Sequence, residues 1–133
     1  MVLQLIGTQW YNVVESFNPE IGDKYTVKSR KSIVDIPVQV LLDKWEDLVI
    51  ELSEKEKELY ELKEAIFNKE QDIIRDTDFQ KIYKKNNKDV RKEHLDKVLA
   101  DDYAAKKDLE FRIDFIKQYI PLLREVIRTK KME

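Results

Sequence analysis

From Leu41 to Ile73, apolar residues return at alternating steps of four and three: Leu41, Trp45, Leu48, Leu52, Leu59, Leu62, Ile66 and Ile73. That spacing puts all eight on one stripe of an α-helix, laid out as the heptad seam of a coiled coil. Lys55 and Lys69 breach the seam, and the stretch "SEKEKELYELKE" alternates charges of both signs, as a solvated outer face does. Pro37, two residues after Asp35, suits a first helical turn. A helix of this length, about 55 Å at ~1.5 Å per residue, cannot bury its own stripe. The rest of the chain must supply the partner.

"RDTDF" ends the pattern, because Asp76, Thr77 and Asp78 are cap and turn formers, and Asn86 with Asn87 makes a second break. "FQKIYKKN" between them has room for a short helix. A second long helix then begins, capped by Asn87 or Asp89. Its seam is Leu95, Val98 or Leu99, Ala105, Leu109, Ile113, Ile116, Ile120, Leu123 and Ile127. Pro121 lies inside this stripe, where a missing N–H predicts a kink. Two amphipathic helices joined by a turn near 76–88 are expected to fold back antiparallel. A reversal centred near residue 81 sets Lys55 level with Asp108, and Lys69 level with Glu93 and His94. Leu59 and Tyr60 then face Ala104 and Ala105.

Beside the seam, Phe111, Phe115, Tyr119, Leu122 and Val126 form a second apolar stripe that one partner helix cannot cover. Two occupants suit it. One is the N-terminal segment, residues 1–36, in which Trp10, Val13, Val14 and Phe17 follow helical spacing behind Thr8 as a cap, with "NPEIGDKYTVKSRKS" as linker or short strand. The other is a second copy of the chain, which makes the five residues a partner or oligomer interface. The expected fold is all-α: one domain, with residues 37–131 as a coiled-coil-like antiparallel hairpin and 1–36 packed on its C-terminal helix.

Composition narrows the chemistry. Charged residues make up 39%, and there are two glycines, no cysteine and one histidine. Disulfides, thiolate metal sites and two-histidine metal motifs are thereby excluded, and Gly7 and Gly22 are too far apart for a phosphate-binding loop. Adjacent carboxylates such as Asp101 and Asp102 diverge by ~100° on a helix and read as a solvated face. His94 beside Glu93 reads as a surface or seam residue. Catalytic residues, cofactors and metals are not expected. No apolar run approaches the ~18 residues of a membrane span, and "MVLQLIG" lacks the basic flank of a secretory signal. A cytoplasmic protein without a membrane partner is the expectation, in the host cytoplasm if phage-encoded.

The net charge of −2 hides an asymmetry, since residues 1–74 carry 9 basic and 15 acidic side chains and residues 75–133 carry 16 and 12. Lys81, Lys84, Lys85, Lys88, Arg91 and Lys92 crowd the turn against one acid, Asp89, with Phe79 and Tyr83 interleaved. Cations that follow a phosphate backbone and aromatics that stack on bases are the ingredients of single-strand binding. Lys81, Tyr83, Lys84, Lys85, Lys88, Arg91 and Lys92 are the candidate nucleic-acid site. A lysine-rich loop kept in solvent is the competing reading.

The passage from Glu93 to Lys130 resembles the C-terminal helix of the T-even phage recombination mediator family (UvsY-like). The shared pattern is Lys97, Val98, Leu99 and Asp102, then an apolar stretch from Leu109 to Ile127, then Arg128, Lys130 and Lys131. "LLDKWEDLVIELSEKEKELYELKEAI" is similar in layout to that family's first long helix, so the resemblance spans roughly residues 37–131. It implies a non-enzymatic, ring-forming helical protein that binds single-stranded DNA and assists a recombinase or replication protein. The turn lysines, with Lys130 and Lys131, would then meet the DNA. The acidic first helix and the N-terminal aromatic segment depart from that pattern. A helical protein–protein adaptor or inhibitor, using the Phe111 stripe or the acidic strip Glu51 to Glu64, is the alternative reading, and a structural coiled-coil assembly factor is a third.

Overall fold

A computed structural model describes residues 2–76 and 88–132, with side chains from Arg91 onward in the second stretch. It overturns the all-α expectation. Residues 2–31 form a three-stranded antiparallel sheet, β1 (Val2–Ile6), β2 (Gln9–Asn18) and β3 (Asp23–Lys31), in the order β1-β2-β3. The described helices are α1 (Val38–Arg75), α2 (Lys88–Val98) and α3 (Ala100–Met132), and a single 3-10 turn at Ile33–Asp35 leads into α1.

Trp10, Val13, Val14 and Phe17, read above as a helix face behind Thr8, belong to β2 instead. The turns decide it. Ile6 pairs with Gln9 around the two-residue loop Gly7–Thr8, and Gly7 has φ 61 while Thr8 does not have positive φ. Left-handed geometry at the first central position alone is what a type II′ hairpin needs, and its twist matches that of the strands. The second loop, Pro19 to Gly22, is closed by the Gly22 N–H on the Asn18 carbonyl at 2.8 Å. The Asn18 side chain accepts from the Glu20 N–H at 3.0 Å, and Gly22 takes φ 77. The segment left open as linker or short strand holds a strand of nine residues.

The chain divides into two compact units, Met1–Leu48 with Tyr119–Glu133, and Val49–Gln118. In the first, Trp10, Ile36, Leu41, Leu48, Tyr119, Ile120, Leu123 and Ile127 are buried and form the core. The indole N–H of Trp10 donates to the Tyr119 hydroxyl at 2.9 Å, tying β2 to α3. Lys130 Nζ donates to the Ile36 carbonyl just ahead of α1.

In the second unit the buried residues are Ile66, Leu99, Ile113 and Ile116. Early α1 meets late α3 and late α1 meets early α3, so the two run antiparallel. Glu51 accepts both Nε and Nη2 of Arg112 at 2.5 and 2.8 Å, Lys117 lies 3.5 Å from Glu56, and Lys69 lies 3.0 Å from Asp102. Lys69 was expected level with Glu93 and His94, so its true partner stands about two turns further along. Lys55 pairs with Glu58 on its own helix rather than with Asp108. Tyr60, Ala104 and Ala105 are exposed. Glu51 and Arg112 thus stand on the expected register while Lys69 and Asp102 depart from it, and α2 and α3 meet at Leu99. Leu99 is buried, its N–H donates to Leu95 and its carbonyl accepts from Tyr103, both at 2.9 Å, so helical bonding passes through the junction. Helix α3 also continues through Pro121, whose position on an exposed face lets water reach the carbonyl it leaves without a donor.

Candidate nucleic-acid interface

Of the basic site proposed from the sequence, Lys81, Tyr83, Lys84 and Lys85 lie outside the described residues. Lys88 opens α2. Arg91 is half-buried and lines a groove with Glu70, Ile74, Lys92, Leu95, Asp96 and Tyr103, and Lys92 is exposed. The Tyr103 hydroxyl donates to Glu70 Oε1 at 2.9 Å. Burial first, then the hydrogen bond and negative charge of Glu70, push the Tyr103 phenol up to about 12. Arg91 is thus set among acids and apolar groups of its own unit.

The five residues of the second stripe are divided between the two units. Phe111 and Phe115 belong to the second unit and Tyr119, Leu122 and Val126 to the first. Phe111 is exposed, with Lys107 Nζ 5.7 Å from its ring centroid, and Arg112 lies 5.3 Å over Phe115. Tyr119 is buried against Trp10, Val126 is half-buried and Leu122 is exposed.

The sheet offers what the sequence reading missed. Side chains alternate across a strand, and Trp10, buried, marks the inner face along with Leu3 and Leu5. Tyr11, Val13, Glu15 and Phe17 of β2 therefore share the outer face. Their partners on β3 are Arg30, Lys28, Thr26 and Lys24 in turn. Each outer-face aromatic stands opposite a cation: Tyr11 with Arg30, Phe17 with Lys24. Lys28 lies between, opposite Val13. Every residue of β3 is exposed, and Phe17 keeps 58% of its surface in water. Three cations face one acid, Glu15, and no ion pair satisfies them among the described residues. Tyr11 and Phe17 are six residues apart, about 20 Å at ~3.4 Å per residue.

At the Arg30 end this face meets a groove of 570 Å³ lined by Thr8, Gln9, Arg30, Lys31, Ser32 and Leu122, among others. Its polar side chains are two cations, the hydroxyls of Thr8, Ser32 and Tyr119, the Gln9 amide and the Trp10 indole, without an acid. Such a lining suits an anionic group more than a cation.

Among the described residues, no group of three or more potential ligands is placed to hold a metal ion, and no helix is long and apolar enough to cross a membrane. No family model, no curated protein and no solved structure matches the chain. The resemblance to the phage mediators therefore stands on the sequence pattern alone.

Proposed function

We propose that this protein is a non-enzymatic binder of single-stranded nucleic acid, DNA in the first instance, and that the outer face of its N-terminal sheet receives the strand. The observation that carries the reading is the register that sets Arg30 beside Tyr11 and Lys24 beside Phe17 on one face of the sheet. An exposed aromatic gives an unstacked base a face to lie on, contributing roughly 1–3 kcal/mol per base, and neighbouring cations take the phosphates without selecting sequence. Cations on an edge strand also discourage sheet-to-sheet pairing. That role explains β3 but not the aromatics on β2, Phe17 exposed and Tyr11 half-buried. Duplex DNA, with its bases stacked inside, has no use for them. The basic run from Lys81 to Lys92 remains a second proposed contact.

The test is fluorescence anisotropy of a labelled mixed-sequence single strand with three variants. Lys24→Glu/Lys28→Glu/Arg30→Glu is expected to weaken binding at least a hundredfold at low salt. Tyr11→Ala/Phe17→Ala should weaken it about tenfold or more, with little change in salt dependence. Lys84→Glu/Lys85→Glu/Lys88→Glu reports on the turn separately. Wild-type affinity in both sheet variants would sink the site. No binding by the native protein at low salt would sink the function and favour the adaptor reading, for which Glu54, Glu61 and Glu64, exposed on α1, offer an acidic surface.

A further inference from the structure

The two edges of the sheet are chemically opposite. β3 is guarded by Lys24, Lys28, Arg30 and Lys31, whereas β1, "VLQLI", has no charge and no proline. Exposed edges invite another strand unless charge, proline or a bulge prevents it. Only β1 lacks such protection.

We infer that β1 is a self-pairing strand, joining two copies of this chain edge to edge across a two-fold axis through Gln4. Three observations converge on it. The first is backbone: because Gly7–Thr8 is a two-residue loop, Ile6 and Gln9 form the hydrogen-bonded pair beside it. Alternation then gives Gln4 and Val2 to β2 and points the N–H and C=O groups of Leu3 and Leu5 outward. Neither residue makes a backbone bond beyond the β1–β2 ladder among the described residues.

The second is self-complementarity. An antiparallel pair centred on Gln4 sets Leu3 opposite Leu5 of the second copy, Val2 opposite its Ile6, and Gln4 opposite Gln4. Its four backbone bonds are those that Leu3 and Leu5 leave unmade. Apolar residues meet apolar residues on both faces, and Val2 and Ile6, 54% and 40% exposed in the single chain, gain cover.

The third is space. A groove of 440 Å³ runs along β1, lined by Leu3, Gln4 and Leu5 with Trp10 and Val40, and by Asp43, Lys44 and Asp47. A strand added to β1 directs alternate side chains into that groove, as in strand-addition complexes generally. In the symmetric pair those side chains are the partner copy's leucines. The lining carries both signs of charge, so it does not present one uniform charge to a second copy. The strand of a foreign protein would fit the backbone equally well, but only a second copy is guaranteed the palindrome.

Five residues are a short interface beside the ~1,600 Å² of a standard one, so association is expected in the micromolar range. The inference does not depend on nucleic-acid binding.

The experiment is sedimentation equilibrium over a dilution series, where the single chain has a mass of 16.0 kDa. The native protein should move toward twice that mass as concentration rises. Gln4 is exposed, so substitution leaves the fold intact, as circular dichroism will verify. Gln4→Lys and Gln4→Glu, each alone, place like charges face to face and should weaken the dimer at least tenfold. An equimolar mixture of the two should restore it. Gln4→Cys, in a chain with no cysteine of its own, should cross-link to the dimer under mild oxidation. A native protein monomeric at its highest soluble concentration overturns the inference. So does a dimer indifferent to Gln4→Lys, or a mixture that fails to recover association.

Discussion

At the scale of single residues, the Trp10–Tyr119 bond is the contact most exposed to test. It spans 109 positions of sequence inside the first unit's core, and both partners are buried. Burial raises the Tyr119 phenol above its ordinary value, with the Trp10 bond working the other way. Tyr119→Phe keeps the ring and removes the acceptor, leaving the indole N–H buried without a partner. The cost should be about 1–3 kcal/mol, read from urea denaturation. In a cycle with Trp10→Phe, the double variant should lose less than the two single losses added, because the orphaned donor is gone. Tyr103 offers a pH test. Its folded pKa of about 12 lies above the usual 10.0, so the fold favours the neutral phenol. The associated stability is complete below about pH 10 and drains away as pH rises toward about 12, since the unfolded chain ionises first. Tyr103→Phe should flatten that alkaline decline, and tyrosinate absorbance should show Tyr103 and Tyr119 titrating late in the native protein and one late phenol fewer in the variant.

At the scale of elements, the turns govern what forms. Gly7 sits at φ 61, and a Cβ placed there would meet no heavy atom within 4 Å. Any loss on Gly7→Ala is therefore backbone strain alone, about 1–2 kcal/mol, seen as a lower Tm of the first unit without a change in the spectrum of the folded state. The same glycine explains where reading the sequence went astray. Trp10, Val13, Val14 and Phe17 fit helical steps by chance, as short apolar runs do. The deciding marks were Gly7 between two apolar stretches and the Asn18-Pro19 to Gly22 cluster, which are hairpin punctuation. The long helices were legible because their periodicity is sustained: Leu41, Leu48, Ile66, Ile113, Ile116, Ile120, Leu123 and Ile127 are all buried. Their register was legible in part: Glu51 meets Arg112 as a reversal near residue 81 requires, whereas Lys69, which can reach several acids on a facing helix, pairs with Asp102. The basic run at 81–92 was visible as a contiguous string. The pairing of Tyr11 with Arg30 could not be seen until two hairpins had been placed.

At the scale of the whole molecule, charge distribution outweighs the total of −2, and salt dependence tells how many of its cations a strand engages. Each phosphate neutralised on a single strand contributes about −0.7 to the slope of log K against log salt. If Lys24, Lys28 and Arg30 alone carry the contact, that slope should be about −2. Engagement of the lysines between 81 and 92 as well should more than double it, and Lys84→Glu/Lys85→Glu/Lys88→Glu should then return it toward the smaller value. Pairing of two copies through β1 would set two outer faces in one extended sheet, and a strand long enough to cover both would give a steeper slope than a short one. Measuring the slope with short and long oligonucleotides, on native protein, Gln4→Lys and Gln4→Glu, separates these cases, because Gln4 shares the face of Tyr11 and only an effect common to both charges comes from lost pairing. A slope that steepens with length in the native protein and stays flat in both variants ties the strand edge to the binding face. Equal slopes in all three proteins leave the sheet face acting one copy at a time.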